Sequence, residues 1–143
     1  MSNWSGVART NYFKVKDPTD FLTEFCQEKY AVEIVTPEPR QPGGEPAPAT
    51  FALLSHSDNG GWEDSYYDEE KDVYVAFEIA TIVATFLVDD EVAVFIEVGG
   101  DRFRYLTGFA TAINSKGEER FVNLDGIYEL AKELGSHITN AGG

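Results

Sequence analysis

Residues 92–123, VAVFIEVGGDRFRYLTGFATAINSKGEERFVN, read as three consecutive strands joined by tight turns. β-Branched and aromatic residues crowd Val92 to Val98 and Phe103 to Ile113, and Gly99-Gly100-Asp101 supplies turn formers between them. Asn114-Ser115-Lys116-Gly117 makes a second hairpin into Arg120 to Asn123. Strands joined this closely run antiparallel, because a parallel pair needs a crossover of a dozen residues or so. Gly108, in the middle of the second strand, is expected to mark a bulge.

Upstream, Val75, Ile79, Ile82, Val83 and Phe86 recur at helical spacing and predict a helix from about Tyr74 to Val88, although most of its β-branched residues also suit a strand. Thr50 to Ser55 reads as a strand broken by the turn formers Ser57-Asp58-Asn59-Gly60-Gly61. Five prolines and two glycines fall within Pro37 to Pro48, a composition that excludes regular structure and predicts a long loop with a disordered middle. Ala31 to Val35 is another strand. Before it, Asp17 is a good N-cap, Pro18 suits the first helical position and Asp20 the first turn, so a helix follows with Phe21, Leu22, Phe25 and Cys26 as its apolar stripe. Asn11 to Lys16 alternates, with Phe13 and Val15 on one face.

Downstream, Ile127, Leu130, Ala131 and Leu134 share a face of a last helix, Leu124 to Leu134, that Gly135 ends. The order β-α-β-β-α-β-β-β-α predicts an α+β two-layer sandwich: an antiparallel sheet with helices on one face, a ferredoxin-like βαββαβ core extended by a hairpin and a C-terminal helix. Its 143 residues suit a single domain, residues 1–143, and a hydrophobic share of 43 % with 13 % aromatics is enough for a core without staples.

Charge is distributed unevenly. Thirteen of the 25 acidic residues lie between Asp58 and Asp101, where Lys71 is the only base, so this stretch holds a net −12 of the total −14. Such a balance argues against direct binding of nucleic acid, whose phosphates would be repelled. The longest strongly apolar run, Ile79 to Val88, is too short to span a bilayer. A lone cysteine excludes an intrachain disulfide framework, and the N-terminus lacks the basic and apolar regions of a signal peptide, so a cytoplasmic location is expected.

The catalytic readings are weak. Ser55, His56 and Asp58 supply the residue types of a hydrolytic triad, but neighbours in a strand point to opposite faces and no Gly-x-Ser-x-Gly elbow is present. Cys26 reads as a buried, inert thiol beside Phe25. His56 and His137 are the only imidazoles and no calcium-loop spacing occurs, so neither a metal nor a cofactor is expected. Gly60-Gly61 and Gly99-Gly100 lack the lysine or following helix of a phosphate loop and read as turns.

The acidic stretch is the functional candidate. Asp58, Glu63, Asp64, Asp68, Glu69, Glu70 and Asp72 interleave with Trp62, Tyr66, Tyr67 and Tyr74, and Asp89, Asp90 and Glu91 follow. Aromatic anchors ringed by charge suit a protein interface, and carboxylates spaced along a strand or helix can imitate a phosphate track. Glu97 and Asp101 would extend the same face if their strand brings them alongside. Against this stands plain solubility, for which a charged loop needs no partner.

Asn3-Trp4-Ser5-Gly6, Tyr12-Phe13-Lys14-Val15-Lys16-Asp17, Val92-Ala93-Val94-Phe95, Arg104-Tyr105-Leu106-Thr107-Gly108, Asn114-Ser115-Lys116-Gly117-Glu118 and Asp125-Gly126-Ile127-Tyr128 carry a further signal. Through them the chain resembles a family of small acidic proteins of bacterial plasmids and integrative elements, often encoded near antirestriction genes. The resemblance implies a mobile-element accessory protein and, by analogy with DNA-mimicking antirestriction and anti-CRISPR inhibitors, a non-enzymatic inhibitor. It transfers no functional residues. The expected partner is the basic groove of a host nuclease or surveillance complex, bound by a monomer or homodimer. The alternatives are a binding module acting through its aromatic surface, with charge serving solubility, and a small enzyme with a pocket near His56 or Arg104 and Tyr105.

Overall fold

The computed structural model describes residues 4–39, 42–44, 48–101 and 105–139, with the backbone alone at Trp4 and Tyr105. The strands are β1 (Trp4–Thr10), β2 (Phe13–Lys14), β3 (Val32–Val35), β4 (Thr50–Ser55), β5 (Ser65–Asp68), β6 (Val73–Ala76), β7 (Val92–Asp101), β8 (Tyr105–Asn114) and β9 (Glu119–Asn123). Helix α1 (Pro18–Phe25) follows β2, α2 (Ile79–Ala84) follows β6, and α3 (Ile127–Ala131) follows β9. The class is α+β, dominated by antiparallel sheet with few, short helices. Pairing runs β3, β4, β1, β7, β8, β9, every pair antiparallel, with β2 beside β4; β5 and β6 form a separate two-stranded ribbon.

β7, β8 and β9 are the run that residues 92–123 predict, with two corrections. Gly99-Gly100-Asp101 continues β7 and is not a turn: Gly99 pairs with Gly6 on one side and Thr107 on the other, and Gly100 with Ser5 and Leu106. Pairing on both edges overrides glycine's poor strand propensity. Residues 102–104, Arg104 among them, lie outside the described residues. Nor is Gly108 a bulge, since the β7–β8 register is continuous from Val92↔Asn114 to Asp101↔Tyr105. Gly108 is a seat instead: a β-carbon there would stand 2.8 Å from Leu124 Cδ1.

β1 precedes the strand expected at Asn11 and takes the centre of the sheet. The register with β4 shifts by one residue between Arg9↔Leu54 and Phe13↔Phe51, so the 10–12 segment is a bulge dividing β1 from β2. Side chains complete the ladder there. Thr10 Oγ1 accepts the Leu53 N–H at 2.9 Å, and the Asn11 amide accepts from Val94 N at 2.8 Å and donates to Val92 O at 3.1 Å. Thr10 is the only buried polar residue among those described, and this bond is why it can be.

Strand alternation gives the sheet two unlike faces. One carries Phe13, Phe51, Leu53, Ala93, Phe95 and Ile113 and is covered by α1 and α2. Asp17 caps α1 by accepting the Asp20 N–H at 3.1 Å, with Pro18 at the first position. Phe21 sits at the hub, its ring stacked on Phe51 at 5.2 Å and edge-on to Phe13 and Phe86 at 5.7 Å each. Truncating such a ring to alanine costs about 3–5 kcal/mol. Only Phe21 and Phe25 of the α1 stripe are buried. Leu22 is exposed, and so is Cys26, which corrects its reading as a core thiol: the helix ends at Phe25, leaving Cys26 at the C-cap with its thiol donating to Thr23 O at 3.2 Å.

The helix expected over Tyr74–Val88 is in fact β6 followed by α2. Val73 to Ala76 pairs with Asp68 to Ser65, leaving Tyr66 and Val75 half-buried on one side and Tyr67 and Tyr74 exposed on the other, so the β-branched alternation prevails over the helical period. Ile79 and Val83 keep their expected places in the core. The last helix is also shorter than its pattern: a 3-10 turn covers Leu124–Gly126, α3 stops at Ala131, and no residue of either is buried.

Candidate functional site

The acidic segment begins in a turn pressed against the sheet. Ser55 and Ser57 both donate to Gly61 O at 2.6 Å, Asn59 Oδ1 accepts the Gly61 N–H at 2.9 Å, and Gly60 takes a φ of +81°. The turn delivers Trp62 onto the helix-bearing face, where its ring meets Phe95 edge-on at 5.4 Å and its backbone N–H donates to Glu97 Oε1 at 2.8 Å. Trp62 is therefore packed against the core and is no outward anchor. Glu97 likewise turns inward and does not extend an acidic face. Asp58 is exposed on the turn; His56 is exposed just past the end of β4, while the Ser55 hydroxyl is committed to Gly61.

The ribbon β5–β6 is anchored at its base and free at its tip. Phe77 N–H donates to Asp64 O at 2.9 Å, and the Phe77 ring contacts Tyr66 at 6.1 Å and Tyr30 at 5.1 Å. Lys29 Nζ lies over the rings of both Tyr66, at 4.8 Å, and Tyr30, at 5.1 Å, which favours the cation on the ring faces. Tyr30 donates its hydroxyl proton to Glu24, and burial together with that carboxylate holds its pKa well above the usual tyrosine range.

Opposite strand residues Tyr67 and Tyr74 meet across the outer side of the ribbon at 5.2 Å, their rings tilted by 57°, and Tyr74 is 76 % exposed. Beyond them, Asp68 Oδ1 accepts the N–H groups of Glu70 and Lys71 at 3.0 and 3.3 Å, and Asp72 adopts φ +54° to close the turn. Glu69, Glu70, Lys71 and Asp72 all project into solvent. The carboxylates are thus grouped in a turn and not spaced along a strand, because Tyr66 and Tyr67 occupy the strand positions that would set a regular pitch.

Asp89, Asp90 and Glu91 form a third body beside β2. Glu91 N–H donates to Val88 O at 3.0 Å, Asp90 takes φ +69°, and Glu91 Oε1 accepts the Lys14 N–H at 2.9 Å, leaving Asp89 and Asp90 exposed. Glu63 is half-buried and Asp64 exposed at the ribbon's base. Among the described residues the one salt bridge is Lys132 with Glu129, so no carboxylate of the 58–101 stretch has a paired cation there. Among them also, no group of three or more His, Cys, Asp or Glu could hold a metal ion, and no helix is long and apolar enough to cross a membrane.

Compared with known proteins, the chain matches no protein-family model, no curated protein and no solved structure.

Proposed function

We propose that this protein is a non-enzymatic binding protein that presses its acidic, tyrosine-bearing ribbon into the basic groove of a host nucleic-acid-binding defence protein, a nuclease or a surveillance complex, and so keeps DNA out. The supporting observation is the ribbon itself: a Tyr67–Tyr74 pair facing solvent next to a tip of Glu69, Glu70 and Asp72 without paired cations among the described residues. Tyrosines supply contact area at small entropic cost, and the carboxylates steer a basic surface onto them. The antirestriction or anti-CRISPR role follows from the resemblance to mobile-element proteins. We also read the strand order β3-β4-β1-β7, with helices after β2 and β6, as a split βαβ, ferredoxin-like core carrying the ribbon as an insertion.

The test is competition for DNA. Labelled duplex DNA bound to purified restriction nucleases and CRISPR surveillance complexes is titrated with the protein at low and at high salt. Displacement at low salt that fades as salt rises, and that Glu69→Lys/Glu70→Lys/Asp72→Lys abolishes, supports the reading. Displacement unaffected by both changes overturns it. The 76 % exposure of Tyr74 favours one variant of the reading, in which the aromatic pair dominates and charge serves solubility; Tyr67→Ala/Tyr74→Ala would then weaken binding more than charge reversal does.

A further inference from the structure

Among the described residues, the second face of the sheet has no covering layer. Strand register places Arg9, Ile96, Ala110 and Val122 in one row across β1, β7, β8 and β9, and Val7, Val98 and Gly108 in the next. Val7, Ile96, Val98 and Val122 are each more than 40 % exposed, and so is Leu106 beyond them. The small residues of β8 leave a trough of about 220 Å³ between Ile96 and Val98 on one side and Val122 on the other, closed at one end by Leu124 over Gly108. A helix lacking a sheet follows directly: Ile127, Leu130 and Leu134 form a stripe, 59, 58 and 92 % exposed.

We propose that this face is a homodimer interface in which α3 and the turn after it, carrying Ile127, Leu130 and Leu134, lie in the trough of a second copy, each copy giving a helix and receiving one. Two observations select a second copy as the occupant. The first is area. Nine apolar residues of the sheet face, the Leu124 turn and the helix are each more than 40 % exposed, the apolar extent from which a standard interface draws its ~800 Å² per partner. The second is charge. In a chain of net −14, the trough is flanked by Arg9 and Arg120, neither in a salt bridge among the described residues. The segment that would meet them offers Glu133, while its Glu129 is paired with Lys132 at 2.9 Å. A twofold axis makes both contacts at once, so the interface closes without leaving an open end for further copies. The acidic ribbon sits on the other, helix-bearing side, and a dimer would present two of them.

Sedimentation equilibrium of the full chain tests the assignment up to roughly 100 µM, which spans ordinary dimer affinities. The expected mass is twice the 15.8 kDa of the chain, with dissociation at least about tenfold easier for Val122→Glu on the sheet and for Leu134→Glu on the helix. Leu134 is nearly fully exposed, so its variant folds as the parent does, and circular dichroism verifies this for both. An equimolar mixture of the two variants regains dimer, because one of the two sheet–helix contacts in the mixed pair is intact. A monomer throughout the range overturns the proposal, as does a dimer indifferent to Leu134→Glu. These outcomes are independent of whether the ribbon displaces DNA.

Discussion

A β-carbon on Gly60 would stand 1.8 Å from the carbonyl oxygen of Gly6, so the 57–61 turn and the central strand β1 meet backbone to backbone. Nothing larger than hydrogen fits between them, and the φ of +81° at Gly60 independently favours glycine. This contact seats Trp62 on Phe95 and starts the acidic segment from a fixed point.

Gly60→Ala therefore destabilises the fold by more than about 3 kcal/mol, because the strained φ and the backbone clash add. Gly117→Ala separates the two effects. Gly117 has φ +83° but nothing within 4 Å of its missing β-carbon, so its substitution costs only about 1–2 kcal/mol. Urea denaturation of both variants measures the difference.

Thr10→Val keeps the shape of the side chain and removes the acceptor for Leu53 N–H. A buried donor left without a partner costs about 1–3 kcal/mol, whereas Thr10→Ser retains the bond and loses only a methyl group. Denaturant midpoints that place Thr10→Ser below Thr10→Val in stability would contradict this role of the hydroxyl.

Alkaline pH weakens the fold through Tyr30. Its folded pKa is raised, so the unfolded chain releases this proton first, near the ordinary value of about 10. Below that pH both states hold the proton and the contribution is fully present. Above it the unfolded state binds fewer protons, so stability falls as pH rises toward the folded pKa. Tyr30→Phe removes this dependence, and stability compared between pH 9 and 11 reveals it as a shallower decline in the variant.

Cys26 is exposed at the end of α1. A thiol reagent modifies it in the native protein, without denaturant, and with little loss of stability. Labelling that waits for unfolding would place the thiol in the core after all.

On the ribbon, Tyr74→Ala changes stability by less than about 1 kcal/mol, since an exposed ring leaves no cavity, yet it weakens partner binding by an order of magnitude. The Glu69→Lys/Glu70→Lys/Asp72→Lys variant melts within a few degrees of the parent. Thermal melts beside the DNA competition assay separate a binding defect from a folding one.

How much was legible in the sequence follows from the range of the forces involved. The α1 cap at Asp17-Pro18, the β4 strand, and the hairpin at Asn114–Gly117, where Asn114 Oδ1 accepts the Lys116 and Glu118 N–H groups at 3.0 and 2.9 Å, are set by residues within a few positions of each other. Part of the core face was equally visible, because alternation alone puts Phe13 with Val15 on one side. For the candidate site, the concentration of charge and tyrosine was plain, but its division into a turn, a ribbon and a third body beside β2 was not. Val73 and Val75 fit a helix and a strand alike, and only pairing with Asp68 and Tyr66 chose the strand.

Local chemistry in the sequence by itself determined the α+β class, the capped first helix, the turns at 57–61 and 114–117 and the place where negative charge collects. Tertiary structure decided which strands stand together. It put the glycine-bearing β1 at the centre between β4 and β7, kept Gly99 and Gly100 in β7 by pairing both edges, turned Glu97 inward to the Trp62 N–H, and left one sheet face without a covering layer among the described residues. Turns and caps draw their energy from neighbours along the chain, whereas strand partners and buried faces draw theirs from residues tens of positions away, where no short window of sequence can register the contact.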